Sequence, residues 1–299
     1  MLFSTQSAKR FLFLSTFLNF LSVASLPADE PRNPVAPNAK TYAESVLTSQ
    51  PVGYWRLNET HGSIAGDATK NKIDGRYFDG VSLGRLGAFA QGGDKAVGFD
   101  GKTGYIEIPS NKAFSQPTSG KGFSVKVWFK PTRLEFPGET DDPYVYWIGK
   151  GQPSQYEWAL RFYSRNSSRP NRISAYVFNK EGKKGAGAEF EDPVKLNEWI
   201  HVVACFDPGS KANPKAGVSI YKNGELRGSP ASQRGARYAS FDITPRAGSA
   251  PIRLGTRNFT SFFLGELDEL AIYPRVLTDK EILEHFRAAD ALKPNLSKK

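Results

Sequence analysis

Gly265 to Phe286 constrains the fold of this chain more than any other stretch. Gly265-Glu266-Leu267-Asp268-Glu269-Leu270-Ala271-Ile272-Tyr273 alternates apolar and polar residues as a strand does, and Pro274 closes it. Thr278-Asp279-Lys280-Glu281 then opens a helix as a capping box, in which a threonine hydroxyl and a glutamate each satisfy a free backbone amide. Ile282, Leu283 and Phe286 give that helix one apolar side. The unit predicts a long β-sandwich sealed by a terminal strand and a short helix.

The N-terminus reads as an address. Lys9 and Arg10 precede an apolar run from Phe11 to Val23, and Val23-Ala24-Ser25 is a small-residue cleavage site. That run is roughly 13 residues, short of the about 20 that a membrane span needs. Residues 1–25 are therefore expected to be a secretory signal peptide, and the mature chain to be secreted, periplasmic or on the cell surface. Residues 26–40, with Pro27, Pro31, Pro34 and Pro37, read as an extended linker. The last residues, 291–299, read as a flexible basic tail.

Thr41-Tyr42-Ala43-Glu44 is a second capping box and predicts a short helix ending before Pro51. From there to Tyr273 the chain reads as almost entirely β, with short Val, Ile, Tyr, Phe and Trp runs separated by Gly, Pro, Asn and Asp. Phe123, Val125, Val127 and Phe129 share one face of a strand, and Ser124, Lys126, Trp128 and Lys130 share the other. Asn223-Gly224 predicts a two-residue hairpin turn, which needs positive φ at both positions. Gly182-Lys183-Lys184-Gly185-Ala186-Gly187 reads as a flexible basic loop without a phosphate-binding pattern.

The formal charge is +10, falling to +8 once Lys9 and Arg10 leave with the signal. The positive residues are scattered, and no nucleic-acid-binding signature is present. The single cysteine, Cys205, excludes an intramolecular disulfide and lies in a run apolar on both faces, as a buried, inert thiol does. His61, His201 and His285 lack metal-ligand spacing, and no Gly-x-Ser-x-Gly elbow appears.

Several segments in order resemble the laminin G-like, concanavalin A-like jelly-roll domains of secreted bacterial proteins. They are Pro51–Glu59, Gly62–Asp67, Asp74–Tyr77, Ala96–Gly101, Phe123–Pro131, Trp199–Val203, Ile220–Gly224 and Gly265–Tyr273 with its helix. The resemblance covers residues 41–290 and implies an all-β jelly-roll sandwich with a short N-terminal helix and a C-terminal capping helix. It fixes no ligand, since such folds host lectins, glycanases and adhesion modules. It also implies a structural calcium ion held by an aspartate of the final strand. Asp268 matches that position, and Asp67 is a second candidate.

Glu266 and Asp268 share a strand face at roughly 7 Å, where paired carboxylates at about 5–5.5 Å could serve a retaining glycosidase, and Glu269 points the other way. Asp268 as a tie between the last strand and the N-terminal region is the preferred reading. Asp141, Asp142 and Glu139 form an acidic loop. Sugar rings stack on aromatic faces, and Tyr144, Tyr146, Trp147, Trp158, Tyr163, Phe259, Phe262 and Phe263 lie in middle strands and late loops. Trp147 and Trp158 are the first choice for an exposed platform, with Tyr163 and Phe259 beside them. The function expected is non-catalytic recognition of extracellular or envelope polysaccharide or glycoprotein, with calcium in support. A glycan hydrolase or lyase and a protein-binding adhesion module are the alternatives.

Overall fold

The computed structural model describes residues 41–89, 93–115, 122–137, 143–183, 185–208, 217–228, 236–237 and 247–290. The signal peptide, the linker, the basic tail and the Glu139–Asp142 acidic loop lie outside the described residues.

Helix α1 (Tyr42–Thr48) comes first, followed by strands β1 (Gly53–Trp55), β2 (Ile64–Ala65), β3 (Gly75–Tyr77), β4 (Val81–Leu86), β5 (Lys95–Asp100) and β6 (Ile106–Ile108). After a short 3-10 turn come β7 (Phe123–Pro131), β8 (Tyr144–Lys150), β9 (Trp158–Tyr163), β10 (Ile173–Phe178) and β11 (Gly185–Phe190). The remainder is β12 (Ile200–Asp207), β13 (Gly217–Lys222), β14 (Glu225–Gly228), β15 (Ala236–Arg237), β16 (Ile252–Leu254), β17 (Leu264–Tyr273) and α2 (Asp279–Asp290). No described helix is long and apolar enough to cross a membrane.

The strands form two antiparallel sheets. The first runs β14-β13-β12-β7-β17-β5-β4, with β1 also paired to β17. The second runs β15-β11-β10-β9-β8-β16-β6-β3-β2. The core lies between them. Phe123, Val125, Val127 and Phe129 of β7 meet Trp147, Trp158, Leu160 and Phe162 of the opposite sheet in one buried cluster. The predicted alternation of β7 holds, because Trp128 belongs to a separate cluster on the outer side.

That outer cluster exists because both helices cover the first sheet. Tyr42 and Val46 of α1 and Ile282 of α2 pack with Trp128, Val203, Ala271 and Tyr273. Both predicted capping boxes form. Thr41 and Glu44 exchange bonds of 2.8 and 3.3 Å at α1, and Thr278 and Glu281 exchange bonds of 3.0 and 3.2 Å at α2. Cys205 lies beneath them as an inert thiol, which burial pushes up to about 11.

The Asn223-Gly224 hairpin also forms, with φ of 53° and 83° at the two turn residues. One expectation fails. Gly185-Ala186-Gly187 is not loop but the start of β11, paired with β10. Small residues suit this strand because a Cβ on Gly187 would meet the Ala175 carbonyl oxygen at 1.9 Å.

Candidate functional site

Among the described residues, no helix packs on the outer face of the second sheet. On β9, Trp158, Leu160 and Phe162 point into the core, so Ala159, Arg161 and Tyr163 point outward. Tyr144 and Tyr146 of β8 lie opposite Tyr163 and Arg161, and Tyr176 of β10 lies opposite Ala159. The Arg161 guanidinium sits 4.3–4.8 Å from the ring centres of Tyr144, Tyr146 and Tyr176. It donates to the Tyr146 hydroxyl at 2.7 Å and the Tyr163 hydroxyl at 3.4 Å. Burial pushes the Tyr176 phenol up to about 12, so it stays a neutral donor at ordinary pH.

The loop after β16 extends this face. Arg257 lies 3.4 Å from the ring centres of both Tyr146 and Tyr156. Thr256 accepts from the Phe259 backbone amide at 3.1 Å and donates to the Ser261 carbonyl at 2.7 Å. The loop tip thereby holds Phe259 at φ +66°, a left-handed conformation that is uncommon for a bulky side chain. Its ring is 47% exposed and sits edge-on to Tyr105 at 5.1 Å, and Tyr105 stacks on Phe78 at 4.3 Å. Arg253 lies 4.6 Å from the Phe259 ring and pairs with Glu107 at 2.8 Å. Phe259, Tyr105 and Phe78 thus form an open aromatic ridge flanked by charged and amide groups.

The expected platform of Trp147 and Trp158 does not exist. Trp147 is fully buried against Phe129, and Trp158 is 2% exposed against Phe123. Both indoles fill the space between the sheets. Tyr163 is on the outer face but 1% exposed, pinned by Arg161 and by Arg169 at 3.2 Å. Of the four aromatics expected to bind ligand, Phe259 alone offers an open ring. Phe78 and Tyr105 were not anticipated. Their signal is slight: Phe78 follows β3 two residues before Gly80, and Tyr105 lies between Gly104 and β6.

A second constellation lies under the helices. Asp94, Asp268 and Glu269 are buried, each offering one carboxylate oxygen, and these oxygens lie within 4.8 Å of one another. A bulge in β17 between Asp268 and Ala271, with Glu269 at φ +55°, creates the cluster. The extra residue keeps Leu267, Leu270 and Ile272 in the core and turns Asp268 and Glu269 to the same side. Strict alternation placed Glu269 opposite Asp268, and the bulge overturns that.

Glu269 accepts from the Tyr54 hydroxyl and from Arg56 at 3.1 Å. Asp268 accepts from the Ala88 amide at 2.8 Å through Oδ2, which does tie the last strand to an earlier loop. Its Oδ1 and Asp94 Oδ1 have no hydrogen-bond donor. Burial, and then the charges of Glu269 and Asp94, push the Asp268 carboxyl well above the usual range. Burial pulls the neighbouring Lys126 ammonium down to about 7, opposed by Glu269 and Asp268.

Asp67 belongs to neither constellation. Its Oδ1 accepts from the Tyr54 and Thr69 amides and its Oδ2 from the Thr69 hydroxyl and the Ile73 amide, at 2.9–3.0 Å. Those bonds fold the 67–73 loop and occupy both oxygens. Glu266 is held by Lys130 and by Arg85 at 3.3 Å, while Asp268 is sealed from solvent, so the pair has no common access to a substrate.

The same two-sheet architecture recurs in solved structures. Domain 4 of AbnA, a GH43 extracellular arabinanase from Geobacillus stearothermophilus, in complex with arabinotriose, aligns over 79% of this chain and 97% of its own, with TM-score 0.53 and 20% identity. The botulinum neurotoxin serotype D ligand binding domain in complex with N-acetylneuraminic acid aligns over 81% of this chain and 52% of its own, with TM-score 0.57 and 13% identity. A Trypanosoma rangeli sialidase mutant displaying trans-sialidase activity aligns over 83% and 34%, with TM-score 0.55 and 15% identity. The chain therefore spans about half of the toxin domain and about a third of the sialidase. At these identities the likeness is one of fold. No curated protein matches the chain significantly. The family model described as the concanavalin A-like lectin/glucanases superfamily matches residues 100–283, and the chain belongs to that superfamily.

Proposed function

We propose that this protein is a non-catalytic carbohydrate-binding module whose binding surface is the outer face of the second sheet. The observation that carries this reading is the ridge of Phe259, Tyr105 and Phe78. It combines exposed ring faces with Arg253, Glu107 and Asn258 at its border, the pairing of flat apolar area and hydrogen-bonding groups that a pyranose ring requires. Holding Phe259 at positive φ costs conformational energy, and such strain concentrates where a side chain must be presented. The arabinotriose and N-acetylneuraminic acid complexes of the similar folds support a sugar ligand. Affinity electrophoresis through gels cast with different polysaccharides tests the reading. Wild type should be retarded in at least one gel and Phe259→Ala should not. Migration unretarded by every polysaccharide would leave the adhesion-module alternative.

Calcium is proposed as a structural support at Asp268. The residues fit in part. Asp94 Oδ1 and Asp268 Oδ1 are buried oxygens without a hydrogen-bond donor, Arg56 reaches Asp94 Oδ1 only at 3.6 Å, and the repulsion among the three acids that raises Asp268 is what a cation would relieve. Asp94 and Asp268 would hold the ion, with Glu269 adjacent, and it would neutralise the remaining charge. Calcium should raise the melting temperature of wild type relative to chelator but not that of Asp268→Asn. An unchanged wild-type melting temperature would dismiss the ion. An exported location is proposed from the leader pattern of Lys9 to Ser25. Mass analysis of the mature N-terminus checks it.

A further inference from the structure

Three glutamates of the second sheet's outer face, Glu107, Glu189 and Glu191, are already paired with an arginine. Glu107 pairs with Arg253 at 2.8 Å, Glu189 with Arg172 at 2.9 Å, and Glu191 with Arg172 as well. Arg161 differs. It is half-buried near the middle of the face, its partners are tyrosine rings and hydroxyls, and its Nε has no acceptor. Across β10, Ser174 separates it from Glu189, which Arg172 holds. A guanidinium that gives up water normally gains a carboxylate, because its charge is costly to bury alone. Aromatic rings and hydroxyls compensate a cation only partly, so the charge still favours an oxyanion brought beside it.

We propose that Arg161 is the receptor for the acidic group of an anionic sugar, a carboxylate or a sulfate carried on the polysaccharide. The guanidinium N–H groups donate to the oxygens of that group, while the bonds they make to the Tyr146 and Tyr163 hydroxyls hold the side chain in place. Tyr144 and Tyr176 flank the guanidinium and offer the ring faces against which the sugar lies. Arg257, at the Tyr146 ring, keeps the local field positive. This inference rests on the carbohydrate-binding reading of the same face and names its ligand class.

Matched ligands separate the two claims. The full chain is titrated with polygalacturonate and with the same polymer fully methyl-esterified, and with dextran sulfate and plain dextran. Wild type should bind at least one acidic polymer tenfold or more tightly than its neutral counterpart. Polygalacturonate preference assigns a carboxylate, and dextran sulfate preference assigns a sulfate. Arg161→Met should erase the preference, while Arg165→Met, an equal charge change at an exposed position nearby, should keep it. Arg161→Lys holds the charge without the fork and should lose most of the preference, which keeps the test valid if the methionine variant does not fold. Equal binding of acidic and neutral polymers overturns the inference while the lectin reading stands. An equal loss in the Arg165 variant also overturns it, because bulk charge then explains the preference. No binding to any of the four overturns both.

Discussion

The two sheets share one core but treat their outer faces in opposite ways. The first sheet packs its outer face against α1 and α2, and the charges there lie beside opposite charges: Glu269 faces Arg56, Glu266 faces Lys130, and Lys126 lies near Glu269 and Asp268. The second sheet leaves its outer face to tyrosines, arginines and the Phe259 loop. Charges on the covered face are structural, since removing one strands its partners away from water. On the open face Arg161 differs, because its partners are tyrosines and no carboxylate is left behind when it is removed. The terminal strand and helix thus close one side of the sandwich, and the proposed binding surface lies on the other.

The sharpest way to break this contrast is to remove one group from each side. Glu269→Ala leaves the buried Lys126 and Tyr54 hydroxyl without their carboxylate, and breaking a buried pair costs about 3–5 kcal/mol. Trp147→Ala empties the space beside Phe129 at about the same cost. Arg161→Met should cost less, about 1–3 kcal/mol, because it frees the Tyr146 and Tyr163 hydroxyls but abandons no carboxylate. Urea unfolding curves measure all three. Equal losses in the Glu269 and Arg161 variants would erase the distinction between the faces.

Phe259→Ala should produce the converse pattern. Stability should stay within about 0.5 kcal/mol of wild type, as for an exposed loop residue. Affinity for the retarding polysaccharide should fall about tenfold, or about 1.4 kcal/mol. A variant that unfolds early, or that binds as wild type does, would show the ridge to be structural.

Much of the fold was readable from the sequence, and much of the site was not. Local signals survive folding unchanged: the Thr41 and Thr278 capping boxes, the Asn223-Gly224 turn and the clean alternation of β7 each reappear. The site depends on which parity of a strand faces out. Tyr144-Val145-Tyr146-Trp147-Ile148 is apolar at both parities, so nothing local says that the tyrosines face outward. On β9 a signal was present. Arg161 marks the outer parity and thereby assigns Trp158, two positions from Leu160, to the core. Glu269 was misplaced because a bulge inserts one residue and reverses parity within β17. The stacking of Phe78, Tyr105 and Phe259 joins three distant segments, and no spacing rule connects them.

Thr278→Ala tests the seal over the covered face at smaller cost. Losing an N-cap costs about 1 kcal/mol, and α2 carries Ile282 onto that face. Hydrogen exchange should rise in α2 and in the neighbouring α1, joined to it by Ser49 and His285 at 3.0 Å, before it rises in β8 or β9. Uniform acceleration across both sheets would mean that the helix is integral to the whole sandwich.

The smallest expected effect is the most diagnostic of the covered face, because two of its acids shift in opposite directions. Arg275 holds the Glu281 carboxylate, lowering it from 4.5 to about 2 despite some burial. A group whose folded value is depressed stabilises above its unfolded value and loses that contribution as pH falls toward the folded one, here from about pH 4.5 to 2. Solvent screening limits this contribution to about 1 kcal/mol or less. Asp268 runs the other way. Burial raises its folded value far above 3.8, so its contribution grows as pH falls through the folded value and is complete below the unfolded one. In chelator, stability should therefore rise from pH 7 toward about 4.5 and then decline. Asp268→Asn should flatten the rise, Glu281→Gln should blunt the decline, and Arg161→Met should leave both limbs in place. A flat acid limb in wild type, or an altered one in the Arg161 variant, would place the titrating groups somewhere other than beneath the helices.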